Sequence, residues 1–145
     1  MRYGFYIPTR GQTATPECLE TLVQRAEAWG FDAVMIADHL VFPTVIHSRY
    51  PYTVNGAFPG YGDALEQLTL MTYIAAKTQR LRLVTSVMVL PHRNPVLTAK
   101  MLATIDVLSH GRVTVGVGVG WLQEEFHARI HPALQDLVDA GPGHL

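Results

Sequence analysis

The sequence predicts an α/β fold around a parallel sheet, and three observations predict it. Apolar segments of strand length alternate with segments of helical period along the chain. The strand candidate Ala33-Val34-Met35-Ile36-Ala37 is apolar on both faces, as strands covered on both sides are. N-cap residues and prolines open the helical segments, and glycines close them. Such alternation builds either a doubly wound sheet or part of a (β/α)8 barrel. In both, the loops that follow the strands carry the chemistry.

The elements follow in order. Residues 2–7 form a short strand, and Thr15 caps a helix with Pro16 at its first position. Leu19, Leu22, Val23 and Ala26 keep the helical period, and Gly30 stops it. After the second strand, residues 38–62 form a connection rich in Pro, Gly and Tyr, far longer than the ~2–6 residues usual in such folds. Its length points to a lid over a site. Asp63 and Glu66 fit a capping box for a helix whose inner face carries Leu68, Met71, Thr72 and Ala75. A third strand covers 81–89. Asn94-Pro95 opens a third helix with Leu97, Met101, Ile105 and Leu108 on one side, and Gly111 closes it. Val113–Val117 makes the fourth strand, and a fourth helix begins near Leu122.

Composition excludes several classes. The 145 residues, 48% of them apolar, suffice for one domain with a real core. A net charge of −1 gives no electrostatic footprint for nucleic acid or an anionic membrane. The start Met1-Arg2-Tyr3-Gly4 runs directly into a strand pattern, and no apolar run approaches the ~18 residues of a membrane span. A soluble cytoplasmic protein is the expectation. The single Cys18 predicts a reduced core or interface thiol.

Chemistry-bearing residues gather at the predicted strand ends. Asp38-His39 follows the second strand, where a carboxylate beside an imidazole suits acid/base work or hydrogen bonding to a cofactor; a loop-anchoring pair is the bland alternative. Thr85-Ser86-Val87-Met88 closes the third strand with hydroxyls that could face a ligand, though plain strand residues are the favoured reading. Arg93 could hold an anionic group, while Asn94 reads as a helix cap. Gly116, Gly118 and Gly120 let a flat ligand approach the backbone, but their G-x-G-x-G spacing departs from the dinucleotide fingerprint. His127 and His131 stand four apart without a third ligand, and Pro132 disrupts the turn, so no metal is assigned.

Three passages together resemble the luciferase-like monooxygenase family, and within it the branch that uses the deazaflavin coenzyme F-420. They are Ala28-Trp29-Gly30-Phe31-Asp32-Ala33-Val34 leading into Ala37-Asp38-His39, Arg93 to Ser109 with Gly111-Arg112, and the glycine strand ending in Gly120-Trp121 with Glu124-Glu125-Phe126. The resemblance spans residues 2 to about 126. It implies a (β/α)8 TIM barrel binding coenzyme F-420, or alternatively flavin mononucleotide (FMN), at the C-terminal rim. It further implies a non-prolyl cis peptide at Ser86-Val87 forming a bulge behind the ring, with Gly118, Val119, Gly120 and Trp121 lining the ring's edge. Asp38 and His39 would sit over the reactive face as the catalytic pair. The implied reaction is hydride transfer between coenzyme F-420 and a small organic substrate under the long loop, or FMN-dependent monooxygenation.

A full barrel needs about 250 residues, and this chain supplies four β-α units. Residues 1–126 therefore read as the N-terminal half of a luciferase-like barrel, and 127–145 as a divergent tail. Open edges on the first and fourth strands invite pairing with another chain, so a homo-oligomer is expected. A truncated, non-catalytic product is the alternative that the tail favours.

Overall fold

Each predicted β-α unit is present in the computed structural model, which describes residues 1–43, 45–58 and 64–128. The order is β1 (Gly4–Tyr6), α1 (Pro16–Ala28), β2 (Ala33–Ile36), α2 (Gln67–Lys77), β3 (Arg82–Val89), α3 (Pro95–Leu108), β4 (Val113–Gly118) and α4 (Gln123–Ala128). A 3-10 turn at Leu90–His92 joins β3 to α3. The strands form one parallel sheet in the order β1-β2-β3-β4. A doubly wound sheet reverses at a switch point, so its spatial and sequence orders differ. Strictly consecutive parallel neighbours are instead the strand order of an arc of a barrel.

The helix ends follow the local chemistry. Thr15 Oγ1 accepts from the Cys18 amide at 3.3 Å, and Gly30 lies at φ +82° just past the end of α1. Asn94 Oδ1 accepts from the Leu97 amide at 3.0 Å to open α3. The cap of α2 is Glu66, whose carboxylate accepts from the Leu68 and Thr69 amides at 3.1 and 2.7 Å. Its expected capping-box partner, Asp63, lies outside the described residues.

The chain divides into two compact units, residues 1–40 with 62–120, and 41–61 with 121–145. In the first, α1, α2 and α3 pack on one face of the sheet around Leu19, Val34, Leu68, Ile74, Leu83 and Ile105, among others. Each such side chain contributes roughly 1.5–3 kcal/mol by leaving water. Two polar ties close the N-terminal strand ends, the first of them buried. Arg112 donates to the carbonyls of Ser109, Ala75, Thr78 and Leu81 and to Thr78 Oγ1, at 2.7 to 3.1 Å. Burial pushes its pKa down, against the charge of Glu27. The Glu27 carboxylate gathers the amides of Gln79, Arg80 and Leu81.

Three expectations need correction. Thr72 faces solvent and returns its hydroxyl to the Leu68 carbonyl, while Ile74 takes an inward position. Leu97 and Leu108 are exposed because α3 is apolar on nearly every side; Thr98 and Ile105 mark the face that packs. Cys18 lies exposed on the outside of α1 and not in the core.

In the second unit the described part of the long connection contains neither helix nor strand. Tyr50, Phe58 and Trp121 pack ring on ring with centroids 4.9 to 5.1 Å apart. Glu124 of α4 accepts from the His47 and Ser48 amides at 2.7 and 2.9 Å and from Ser48 Oγ at 2.7 Å. The Ser48 hydroxyl bond leads in lowering the Glu124 pKa to about 2, with the amide bonds adding to it against partial desolvation. Glu125 accepts from the Val41 amide at 3.3 Å. The tail from residue 129 onward, and with it His131, lies outside the described residues.

Candidate functional site

In a parallel sheet all strands end at the same edge, so Asp38, Ser86, Val87 and Gly118 share one rim of the first unit. The ladder between β3 and β4 is regular from Leu83↔Val113 to Thr85↔Val115 and resumes at Met88↔Val117. Ser86 and Val87 therefore stand against a single residue, Gly116, which makes a bulge. The peptide between Ser86 and Val87 is cis. Around the bulge, Thr85 Oγ1 replaces the lost ladder bonds by donating to the Gly116 carbonyl at 2.8 Å and accepting from the Gly116 amide at 2.9 Å. The Thr85 hydroxyl is thus spent on the sheet. The Ser86 hydroxyl turns to the other face and shares a 2.5 Å hydrogen bond with Tyr6.

The alternate glycines have a local cause. A Cβ on Gly116 would lie 2.5 Å from the Thr85 carbonyl oxygen, and one on Gly118 would lie 2.6 Å from Val87 Cγ2. Only glycine lets β4 run against a bulged β3 at this distance. Gly120 turns the chain at φ +83°. The close approach anticipated for a ligand is, at positions 116 and 118, the approach of the neighbouring strand.

Beside the bulge lies a buried charge network. Asp38 Oδ2 accepts from the Val89 amide at 2.8 Å, and its Oδ1 takes the Arg93 guanidinium at 2.6 Å. The other arm of Arg93 reaches Glu66 at 2.8 Å. Burial opposes the Arg93 charge, but its bonds to Asp38 and then Glu66 prevail and raise its pKa. Burial also disfavours the Glu66 anion, yet the Thr69 and Leu68 amides, the Thr69 hydroxyl and Arg93 hold that carboxyl below its ordinary range. Asp38 therefore ties the end of β2 to the end of β3, while His39 follows it half-buried. Arg93 does hold an anionic group, and the group is the protein's own. Sequence reasoning missed Glu66 as a member of this network; its spacing from the start of α2 signalled only the cap.

Val87 remains 44% exposed and Val119 77% exposed, so the rim offers a bare aliphatic surface next to backbone free of side chains at Gly118 and Gly120. That combination fits the face and edge of a flat, partly polar ring. Trp121, assigned to the same edge by resemblance, belongs to the second unit, where it packs on Tyr50 and Phe58. Among the described residues there is no group of three or more His, Cys, Asp or Glu that could hold a metal. No helix among them is long and apolar enough to cross a membrane.

Known proteins place this geometry. A family model described as luciferase-like monooxygenase matches residues 1–133. An uncharacterized protein of Mycobacterium tuberculosis is 35% identical over 127 residues, which cover 86% of this chain and 44% of the relative. An F420-dependent glucose-6-phosphate dehydrogenase of Rhodococcus hoagii is 38% identical over 106 residues, 72% of this chain and 27% of that protein. The monooxygenase RslO1 from Streptomyces bottropensis superposes with a TM-score of 0.63 at 26% identity, over 94% of this chain and 39% of that one. The chain thus spans less than half the length of these relatives.

Proposed function

This chain belongs to the luciferase-like monooxygenase family, and we propose that it carries the ring-binding rim of an oxidoreductase that moves a hydride between coenzyme F-420 and a small organic substrate. The observation that carries this reading is the bulge at Ser86-Val87 against the bare backbone of Gly116 and Gly118. It builds a shelf at the rim where ligands of parallel α/β folds bind. The similarity to an F420-dependent dehydrogenase supports deazaflavin, while the family description and a monooxygenase of similar fold keep FMN as the alternative.

In this reading Val87, Gly118, Val119 and Gly120 would hold the ring. The cofactor, when bound, supplies the hydride chemistry. The protein's own residues position the ring and manage the proton. His39, first after the anchored Asp38, takes the proton that a substrate hydroxyl gives up as the hydride leaves its carbon. Asp38, tied to Val89 and Arg93, fixes where the imidazole is presented.

The test is a fluorescence titration of the purified chain with coenzyme F-420 and, separately, with FMN. Saturable deazaflavin binding that is lost in Gly118→Val supports the proposal. Tighter binding of FMN would assign the flavin monooxygenase branch instead, and binding of neither would make this chain a non-catalytic fragment.

A further inference from the structure

Tyr6 closes β1 at the same rim as the bulge. Side chains alternate along a strand, and its neighbour Phe5 points to the helices, packing edge-on against Phe31 with ring centroids 5.4 Å apart. Tyr6 therefore lies on the opposite face, level with Met35 of β2. Its hydroxyl reaches further. It meets Ser86 Oγ of β3 at 2.5 Å, and β2 stands between β1 and β3 in the sheet. The phenol thus crosses the end of β2 to a serine 80 residues further along the chain.

Stability does not explain this link. Tyr6 is 59% exposed, and water satisfies an exposed hydroxyl as well as a serine does. Ordering the tyrosine for that bond costs side-chain entropy. What the link achieves is a fixed Ser86 hydroxyl beside Val87. Of the two hydroxyls at the bulge, that of Thr85 is consumed by Gly116, which leaves the Ser86 hydroxyl to serve a ligand. Two hydroxyls hold two hydrogens, and the bond between them uses one. The phenol is the more acidic of the pair and so the better donor. Ser86 Oγ then accepts from Tyr6 and keeps its own hydrogen, and neither hydroxyl has another partner among the described residues. A hydroxyl that accepts one bond is polarised to donate the next more strongly. We propose that Tyr6 is a positioning residue for the cofactor: it aims the Ser86 hydrogen at an oxygen or nitrogen acceptor on the edge of the flat ring. This role rests on the ring-binding reading of the rim, and it brings in β1, a strand that reading leaves unused.

The test is a fluorescence titration with coenzyme F-420, repeated with FMN, of the parent chain, Tyr6→Phe, Ser86→Ala and the double variant. Tyr6→Phe keeps the aromatic ring and loses only the hydroxyl. It should raise the dissociation constant of the better-bound cofactor about three- to tenfold. Ser86→Ala should raise it at least as much. In the Ser86→Ala background, Tyr6→Phe should change nothing further, because its route to the cofactor is already gone. Urea unfolding should give Tyr6→Phe the midpoint of the parent, which a merely structural tyrosine would not. A parent that binds while Tyr6→Phe binds equally well overturns the role of Tyr6 and leaves the ring site standing. An equal loss with and without the Ser86 hydroxyl, or a loss of affinity matched by a lowered midpoint, does the same. A parent that binds neither cofactor overturns the ring site itself, and the role of Tyr6 with it.

Discussion

Removing Arg93 should uncover how much the rim depends on one cation. In Arg93→Met the aliphatic stem persists and the guanidinium is lost from between two carboxylates. The two are not equivalent: the Asp38 side chain is 0% exposed, whereas that of Glu66 is 34% exposed. Glu66 keeps its amide donors and its access to water, so its lost pairing costs less than about 1 kcal/mol. Asp38 is left as a buried charge with the Val89 amide, and stranding such a charge costs roughly 3–5 kcal/mol. That is a large share of the about 5–15 kcal/mol that holds a typical domain together. Urea unfolding followed by circular dichroism, at one protein concentration throughout, reads the difference. The double variant Arg93→Met with Asp38→Asn removes the stranded charge while an amide oxygen still accepts from Val89. It should recover about 1–3 kcal/mol relative to Arg93→Met alone. If Arg93→Met lies within about 1 kcal/mol of the parent, or if the two changes simply add, the network does not anchor the rim.

Other consequences are measurable in the same preparations. Gly116→Ala places a methyl against the Thr85 backbone and should cost about 1–3 kcal/mol. Gly118→Ala, whose methyl would meet the Val87 side chain, should cost less because that side chain can turn; equal losses would argue against the bulge as their cause. The depressed pKa of Glu124, about 2 against an ordinary 4.5, makes its contribution full above pH 4.5 and lost as the pH falls toward 2. Hydrogen exchange at the His47 and Ser48 amides should therefore rise across that window in the parent, and Glu124→Gln should flatten the response. Arg112→Met leaves buried carbonyls of Ala75, Thr78 and Leu81 short of a donor and should cost at least about 3 kcal/mol by urea unfolding; a smaller loss would mean that water replaces the guanidinium.

What the sequence reveals here is set by the range of each interaction. Thr15-Pro16, Asn94-Pro95 and Gly30 mark helix ends because a cap acts within four residues, and all three stand where that local chemistry puts them. Periodicity identifies α3 but not its inward face, since Leu97 and Leu108 are as apolar as Ile105 and only the tertiary fold separates them. Strand order was open between two architectures, because alternation is common to both. Consecutive pairing across β1-β2-β3-β4 decides for the barrel.

The candidate rim shows the same dependence on range. Asp38 beside His39 reads locally as an acid/base pair, yet the partners that define Asp38 are Val89 and Arg93, 51 and 55 residues away. No local pattern reports such a pair; only the adjacency of β2 and β3 creates it. The glycines obey the converse. Their alternation is plain in the sequence, but its cause is a bulge about 30 residues earlier on the neighbouring strand, where Thr85 and Val87 occupy the space that a Cβ would need. An alternating glycine pattern at the end of a barrel strand therefore reports on its neighbour before it reports on a ligand. The aliphatic surface that results, Val87 and Val119 flanking bare backbone, is a consequence of that packing, and it is the surface proposed above to take the ring. It follows that substitutions at Gly116 act on any bound ring through the strand, whereas substitutions at Val119 act on the ring alone. Gly116→Ala should thus change stability and cofactor affinity together, and Val119→Ala affinity only.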